Sequence, residues 1–321
     1  MNEKDFAEKN KILKIRNGSH LYGTNTDTSD EDFSGIFITN EDYYFGLYKY
    51  AENGEADFSK IAKLDNGKNS KDAIDIKLYE LRRFAKLAVE NNPNIIEHLY
   101  VNKKNIIFCN EYGQQLLDNA HLFPSKRAYV PFKGYAHSQK HKMIIKEKHF
   151  MELTNAIEYF SKQYEISPNT LIVELRTDIL KFANEDTHHF VIGDLNFPKH
   201  LPVKKVKSIL KERLSKVTNR IELVMKYGYD TKFGSHWIRL IQEGIDILNE
   251  GRLEFPLKNA DLILDIKKGK YKIDELIKLG EEMLIQLDES FKKSKLPEEP
   301  YFNDINRLVV SLGKSHLSKY G

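Results

Sequence analysis

An Asp-x-Asp pair, Asp30 and Asp32, opens an apolar-rich run ending at Ile38, and ten residues separate it from a Gly-Ser bend at Gly18 and Ser19. If Asp30 to Ile38 is extended, successive side chains alternate faces, so Asp30 and Asp32 share one face while Glu31 and Phe33 take the other. Two carboxylates at about 4 Å repel by ~4 kcal/mol at an effective dielectric of about 20. A fold that brings them together needs a cation between them, and carboxylate and phosphate oxygens suit Mg²⁺.

The pattern on either side predicts an α+β protein. Lys11 to Arg16 carries Ile12, Leu13 and Ile15 and reads as a strand that stops at Asn17-Gly18, with Ser19 as the cap of a following helix. Asp32 to Thr39 reads as a second strand. Ala73 to Leu78 is the third, where Ile74, Ile76 and Leu78 alternate with Asp75 and Lys77. Tyr50 to Ser70 between them is polar and reads as a loop. From Tyr79 the period becomes helical, with Leu81, Phe84, Ala85 and Ala88 on one stripe, until Asn91-Asn92-Pro93 stops it.

Beyond Asn110 helical periods dominate. Helices are predicted over Phe132 to Lys162, Val203 to Tyr227, Phe233 to Glu250, Leu257 to Lys267, Ile273 to Ser290 and Asp304 to Leu312, with a short hairpin at His189 to Phe197. In the 233–250 segment Ile238, Ile241, Ile245 and Leu248 form an apolar stripe, opposite Lys232, His236, Arg239, Glu243 and Asp246. A length of 321 residues allows two domains, and the change of pattern divides them into 1–110, a small mixed sheet with helices, and 111–321, mainly helical. No run approaches the length of a membrane span and Met1 to Lys11 lacks an apolar signal segment, so no membrane partner is expected. Cys109 stands alone, which excludes an internal disulfide and agrees with a cytoplasmic location.

Charge is unevenly placed although the net value is only +3. Asp27 to Asp57 holds nine acids against Lys49, whereas Lys126 to Lys148 holds seven bases against Glu147, interleaved with Tyr129, Phe132 and Tyr135. Lys199 to Arg220 holds eight bases against Glu212. An acidic pocket with basic flanks suits a metal and a polyanion, while each basic run taken alone also reads as a solvated helix face.

These motifs carry a resemblance. Gly18-Ser19, the gap, and Asp30-Glu31-Asp32 resemble the DNA polymerase beta nucleotidyltransferase superfamily. Gly-Ser-x-x-Tyr22-Gly-Thr followed by Ser29-Asp30-x-Asp32-x-x-Gly35-Ile-Phe is similar to the nucleotidyltransferases of bacteria and large phages, including the branch associated with RNA ligases. The stretches from Tyr79 to Phe84, Asn92 to Glu97 and Lys232 to Leu240 resemble that family too. The resemblance implies a nucleotidyltransferase core and a third carboxylate on a neighbouring strand, for which Asp75 is the first choice and Asp72 the second. It implies two Mg²⁺ ions on Asp30, Asp32 and Asp75, a nucleoside triphosphate attacked in line at its α-phosphate, and pyrophosphate as leaving group. Backbone N–H groups near Gly18 and Ser19 would hold the leaving phosphates, where a larger side chain than glycine would block close approach. His20 and Tyr22 beside the turn, and Lys232, His236 and Arg239 as a cationic patch, are further nucleotide contacts. The acceptor implied is an RNA end, such as a damaged tRNA. The alternatives are a protein hydroxyl receiving AMP, an antibiotic hydroxyl, and a module that binds nucleotide or RNA without turnover.

Asp30-x-Asp32-x-Ser34-Gly35 with Glu41 also satisfies the spacing of a calcium-binding EF-hand loop. Its flanks oppose that reading, because such a loop needs a helix on each side, whereas Gly35 to Thr39 reads as strand. Asp186 with His188-His189 has the residue types of a metal site without its spacing and is expected to be loop.

Overall fold

The computed structural model describes residues 3–27, 29–48, 50, 54–57, 74–162 and 166–320. In chain order it contains α1 (Glu3–Lys9), β1 (Lys11–Arg16), α2 (Gly18–Tyr22), β2 (Glu31–Phe37), α3 (Glu41–Tyr44), β3 (Glu55–Asp57), β4 (Ile74–Glu80), α4 (Leu81–Val89), α5 (Pro93–Ile96), β5 (Ile106–Cys109) and α6 (Glu111–Asp118). There follow α7 (Tyr129–Lys162), α8 (Arg176–Ile179), β6 (Asn184–Glu185), β7 (His189–Ile192), β8 (Leu195–Pro198), α9 (Val203–Tyr227), α10 (Thr231–Glu250), α11 (Ala260–Lys267), α12 (Ile273–Lys293) and α13 (Phe302–Tyr320). The protein is thus α+β, a small mixed sheet followed by a mainly helical region. Asp72, and the polar 58–73 segment, lie outside the described residues.

Five strands form the first sheet in the order β3-β4-β2-β1-β5, with β2 and β4 parallel and the other pairs antiparallel. Along β2 the face carrying Asp32 and Ser34 continues into Ile36, and its β4 neighbours on that face are Asp75, Lys77 and Tyr79. Ile36 joins Leu13, Ile15, Phe84 and Ala88 in the main core, whereas Phe37 and Leu78 on the other face pack with Ala7 and Tyr50. The acids therefore sit at the wet end of a face that becomes apolar two positions further along.

That core continues through Phe132, Trp237, Ile241, Leu276 and Leu312, crossing position 110 without interruption. Burying each such side chain contributes about 1.5–3 kcal/mol. The stripe expected on α10 is buried, and Gly251 closes the helix at φ 68°. α7 is longer than its apolar pattern suggested, and its second half leaves this core for another one, where Leu153, Ala156 and Phe160 meet Phe190 and Phe197 of the β6-β7-β8 sheet and Val206 of α9.

One local reading changes, and the rejection of the EF-hand loop holds. Asn17, not Ser19, holds the cap position of α2, so Ser19 lies within the first turn. The EF-hand reading fails because Glu31–Phe37 is a strand laddered to both β1 and β4. Asp186 accepts the backbone N–H groups of His188 and His189, so that cluster is a turn, as expected.

Candidate active site

Asp32 and Asp75 are direct partners across the parallel β2–β4 ladder, so their side chains leave the sheet on the same face. Asp30 lies one residue before β2, with the same parity as Asp32. Burial pushes the Asp32 carboxyl from 3.8 up to about 6, with the charges of Asp30 and then Asp75 adding to it. Lys232 and Lys267 act in the opposite direction on Asp32. The three acids expected from the sequence therefore face one another, and two ammonium groups face them.

Gly18 explains how the turn fits so closely. Its φ is +61°, and a Cβ there would lie 2.2 Å from Asp32 Oδ2. The absent side chain thus makes room for a carboxylate of the site, which is a different purpose from the phosphate approach expected. The Asn17 N–H donates to the Asp32 carbonyl at 2.7 Å, locking the turn to β2. Ser19 follows in the first turn of α2, and His20 beside it is half-buried, its Nε2 without a hydrogen-bond partner among the described residues.

The donor set fits a hard divalent cation in kind: three carboxylates at the head of adjacent strands, one of them raised by burial and then by its like-charged neighbours. Among the described residues no three Asp, Glu, His or Cys side chains are already arranged to hold a metal ion. The carboxylates are grouped by the ladder rather than drawn into a closed coordination shell.

α10 divides the expected cationic patch. Lys232 is exposed at its first turn and acts on Asp32, and His236 is half-buried one turn on. Arg239 is not offered to the cleft: it is buried and paired with Glu97 and with Glu243, at 3.0 Å for the latter. Its guanidinium stacks 4.3 Å from the centre of the Tyr22 ring, and the Tyr22 hydroxyl donates to Glu97 Oε2 at 2.7 Å. Burial pulls the Arg239 guanidinium down, but Glu243, Tyr22 and Glu97 outweigh it and leave it above its ordinary value. Burial raises Glu97 and, more strongly, Glu243, with Arg239 opposing both. Arg239 and Tyr22, expected as nucleotide contacts, thus join the turn helix α2 to α10 through partners within the fold.

Lys267 is the site residue the sequence did not single out. Tyr22 accepts the Leu257 N–H at 3.1 Å, and a Cβ on Gly23 would meet Pro256 at 2.7 Å, so the segment leading into α11 is pressed onto the turn. Lys267 on α11 then donates to the Thr24 carbonyl at 3.4 Å. Burial lowers its ammonium and Lys232 adds to the effect, while Asp30 and Asp32 oppose it.

The basic run 126–148 is largely neutralised. Lys126, Arg127, Lys133 and Lys140 pair with Glu298, Glu299, Asp288 and Glu281, the last two on α12. Much of this run, read from the sequence either as a basic flank for a polyanion or as a solvated helix face, thus meets acids of the fold. On α9, Lys204, Lys205 and Lys211 are exposed and have no carboxylate partner among the described residues.

A mixed sheet with a glycine turn and acids at the head of adjacent strands belongs to the DNA polymerase beta class. The sequence pattern described as the RNA repair pathway DNA polymerase beta family, RlaP, matches residues 4–164, and the chain belongs to that family. It is also similar to an uncharacterised 38.9 kDa protein from the nrdC-mobD intergenic region of Enterobacteria phage T4, 26% identical over 305 residues, covering 86% of this chain and 88% of that protein. No solved structure matches significantly. No helix among the described residues is long and apolar enough to cross a membrane.

Proposed function

We propose that the protein is a Mg²⁺-dependent nucleotidyltransferase that moves a nucleoside monophosphate from a nucleoside triphosphate to the hydroxyl of an RNA end and releases pyrophosphate. The observation that carries this reading is Asp32 in register with Asp75 beside Gly18, with Lys232 and Lys267 opposite. Membership of a family described by RNA repair supports RNA as acceptor.

Asp30, Asp32 and Asp75 would hold Mg²⁺, which supplies Lewis-acid polarisation of the phosphates when bound. Asp75, the most exposed of the three, takes the proton of the acceptor hydroxyl on a carboxylate oxygen. The acceptor oxygen forms its bond to the α-phosphorus as the bond to the bridging oxygen breaks, and the electron pair leaves with pyrophosphate. Lys232 and Lys267 neutralise that departing charge at their ammonium groups, and the turn at Gly18 and Ser19 offers N–H and hydroxyl donors to the same phosphates. Segment 1–110 then supplies the carboxylates and segment 111–321 the cations.

The test is transfer from α-labelled ATP, CTP, GTP and UTP with Mg²⁺ and total RNA or cell lysate, followed by nuclease or protease. Nuclease-sensitive label and pyrophosphate are expected, both lost in Asp30→Asn and Asp32→Asn variants that still fold. Protease-sensitive label would name a protein acceptor. Unchanged transfer in both variants rejects the assignment of the acids, and no pyrophosphate from any triphosphate makes the protein a binding module.

A further inference from the structure

The second half of α7 borders an open cavity of about 530 Å³, which it shares with the segment Leu180–Asn184. We propose that this cavity takes one unstacked nucleotide of the RNA strand whose end reacts at Asp30, Asp32 and Asp75. The inference rests on the RNA reading above and adds where the strand is held.

The size lies within the range of about 300–1,000 Å³ that small-molecule sites occupy. The lining has the parts that recognise a splayed base. Phe182 presents a half-buried ring, steadied by Tyr159 and Phe160 at centroid distances of 5.4 and 6.5 Å. A fixed aromatic ring is a stacking platform that tolerates any base. Asn155 and Asn184 approach from the two sides, both exposed, and their amides make no hydrogen bond among the described residues. An amide carries both donors and acceptors, as base edges do, and single-stranded RNA is read through such edges. Lys148 and Lys181 stand at the rim, where their side chains remain 67% and 71% exposed despite pairing with Glu152 and Asp178. They are placed for the phosphates on either side of the base.

The cavity is also joined to the active site along one helix, α7. Met143, buried on α7, has its sulfur 3.2 Å from where a Cβ on Gly234 would be, between Lys232 and His236 in sequence. Lys148 lies five residues on and Asn155 twelve, which at 1.5 Å per residue is about 8 and 18 Å of helix. Lys207 and Lys211 of α9 flank α7 at Ile157 and Ser161, just past the cavity, extending positive charge along the same path. The first half of α7 and the turn before it, by contrast, have Lys126, Arg127, Lys133 and Lys140 matched by acids.

The experiment measures fluorescence anisotropy of short single-stranded RNAs with chelator present and no triphosphate, so that it reads binding independently of transfer. Each RNA carries one abasic residue, moved stepwise from the hydroxyl end. One internal position should cost wild type about tenfold in affinity, the scale of one lost stack. That position-specific loss should disappear in Asn155→Ala/Asn184→Ala, whose surface changes leave the thermal midpoint unaltered, and in Phe182→Leu. If wild type binds RNA and both variants show the same abasic profile, the cavity is overturned while the transferase reading stands. If wild type binds no RNA and its label goes to protein, the cavity and the RNA acceptor are overturned together.

Discussion

Replacing Asp32 by Asn should make the metal-free protein more stable at neutral pH while ending transfer. In the folded protein burial, Asp30 and Asp75 raise the Asp32 carboxyl from 3.8 to about 6. Two units correspond to ~3 kcal/mol, and the side chain's partial exposure reduces this to ~1–2 kcal/mol. A carboxyl raised in the folded state binds its proton more tightly there than in the unfolded chain. Its contribution to stability is therefore complete below pH 3.8 and is lost as the pH rises through about 6. Asn has no charge to lose, so the variant escapes the penalty at neutral pH and gains nothing over wild type below pH 3.8. For a chain of this length the neutral-pH gain amounts to on the order of 1.5–3 °C in the unfolding midpoint. Thermal and denaturant unfolding of both proteins with chelator, at acid and neutral pH, measures the difference. Adding Mg²⁺ should then raise the wild-type midpoint by mass action and leave the variant nearly unmoved. A variant destabilised equally at both pH values, or one that responds to Mg²⁺ as wild type does, would refute the crowding of charges at this site.

Lys267→Gln should raise the KM for triphosphate severalfold, more so at low ionic strength because the lost attraction is electrostatic; an unchanged KM across salt concentrations would remove Lys267 from the site. Arg239→Gln leaves Glu97 and Glu243 buried without a countercharge and should cost ~3–5 kcal/mol of stability. Tyr22→Phe combined with Glu97→Gln in a double-mutant cycle should show coupling of ~0.5–3 kcal/mol, and strict additivity would contradict a shared network.

The elements that were legible in the sequence are those whose periodicity is unbroken. β1 matches its expected bounds because Ile12, Leu13 and Ile15 make a short apolar run that Asn17-Gly18 ends, and α9 matches because Gly228 takes the left-handed φ of 79° that stops it. α10 begins two residues earlier than its apolar stripe, because Asp230 caps it by accepting the N–H groups of Lys232 and Phe233. The pairing of Asp32 with Asp75 could be anticipated from strand parity and family resemblance, whereas the antiparallel β5 adds only four residues, too short to carry a period of its own. Arg239 looked like part of a wet face because Lys232, His236 and Arg239 recur at helical spacing. Its partners, the Glu97 carboxylate and the Tyr22 ring, lie far away in sequence and Glu243 reads equally well as solvated. Lys267 was hidden for a different reason: in a chain with 50 Lys and Arg, no local pattern marks a lysine that turns toward the acids.

The separation of charge along the chain gives the site its dependence on long-range closure. Its acids come from residues 30 to 75, and Lys232 and Lys267 arrive only after the chain has run out through α7 and returned through α10 and α11. What holds the two halves in register is not the opposite charges of the site itself, which are partly exposed and screened. It is the apolar core shared across them and, next to the site, the buried set of Tyr22, Glu97, Arg239 and Glu243 with the Leu257–Tyr22 backbone hydrogen bond. With two acids for one guanidinium, that set is strong only while its geometry is kept, since a buried charge that loses its partner is far more costly than an exposed one. A displacement of α10 that would carry Lys232 away from Asp32 also breaks contacts around Arg239. The joint therefore resists the motion that would open the site, and substitutions there should change binding of triphosphate through residues that never touch it.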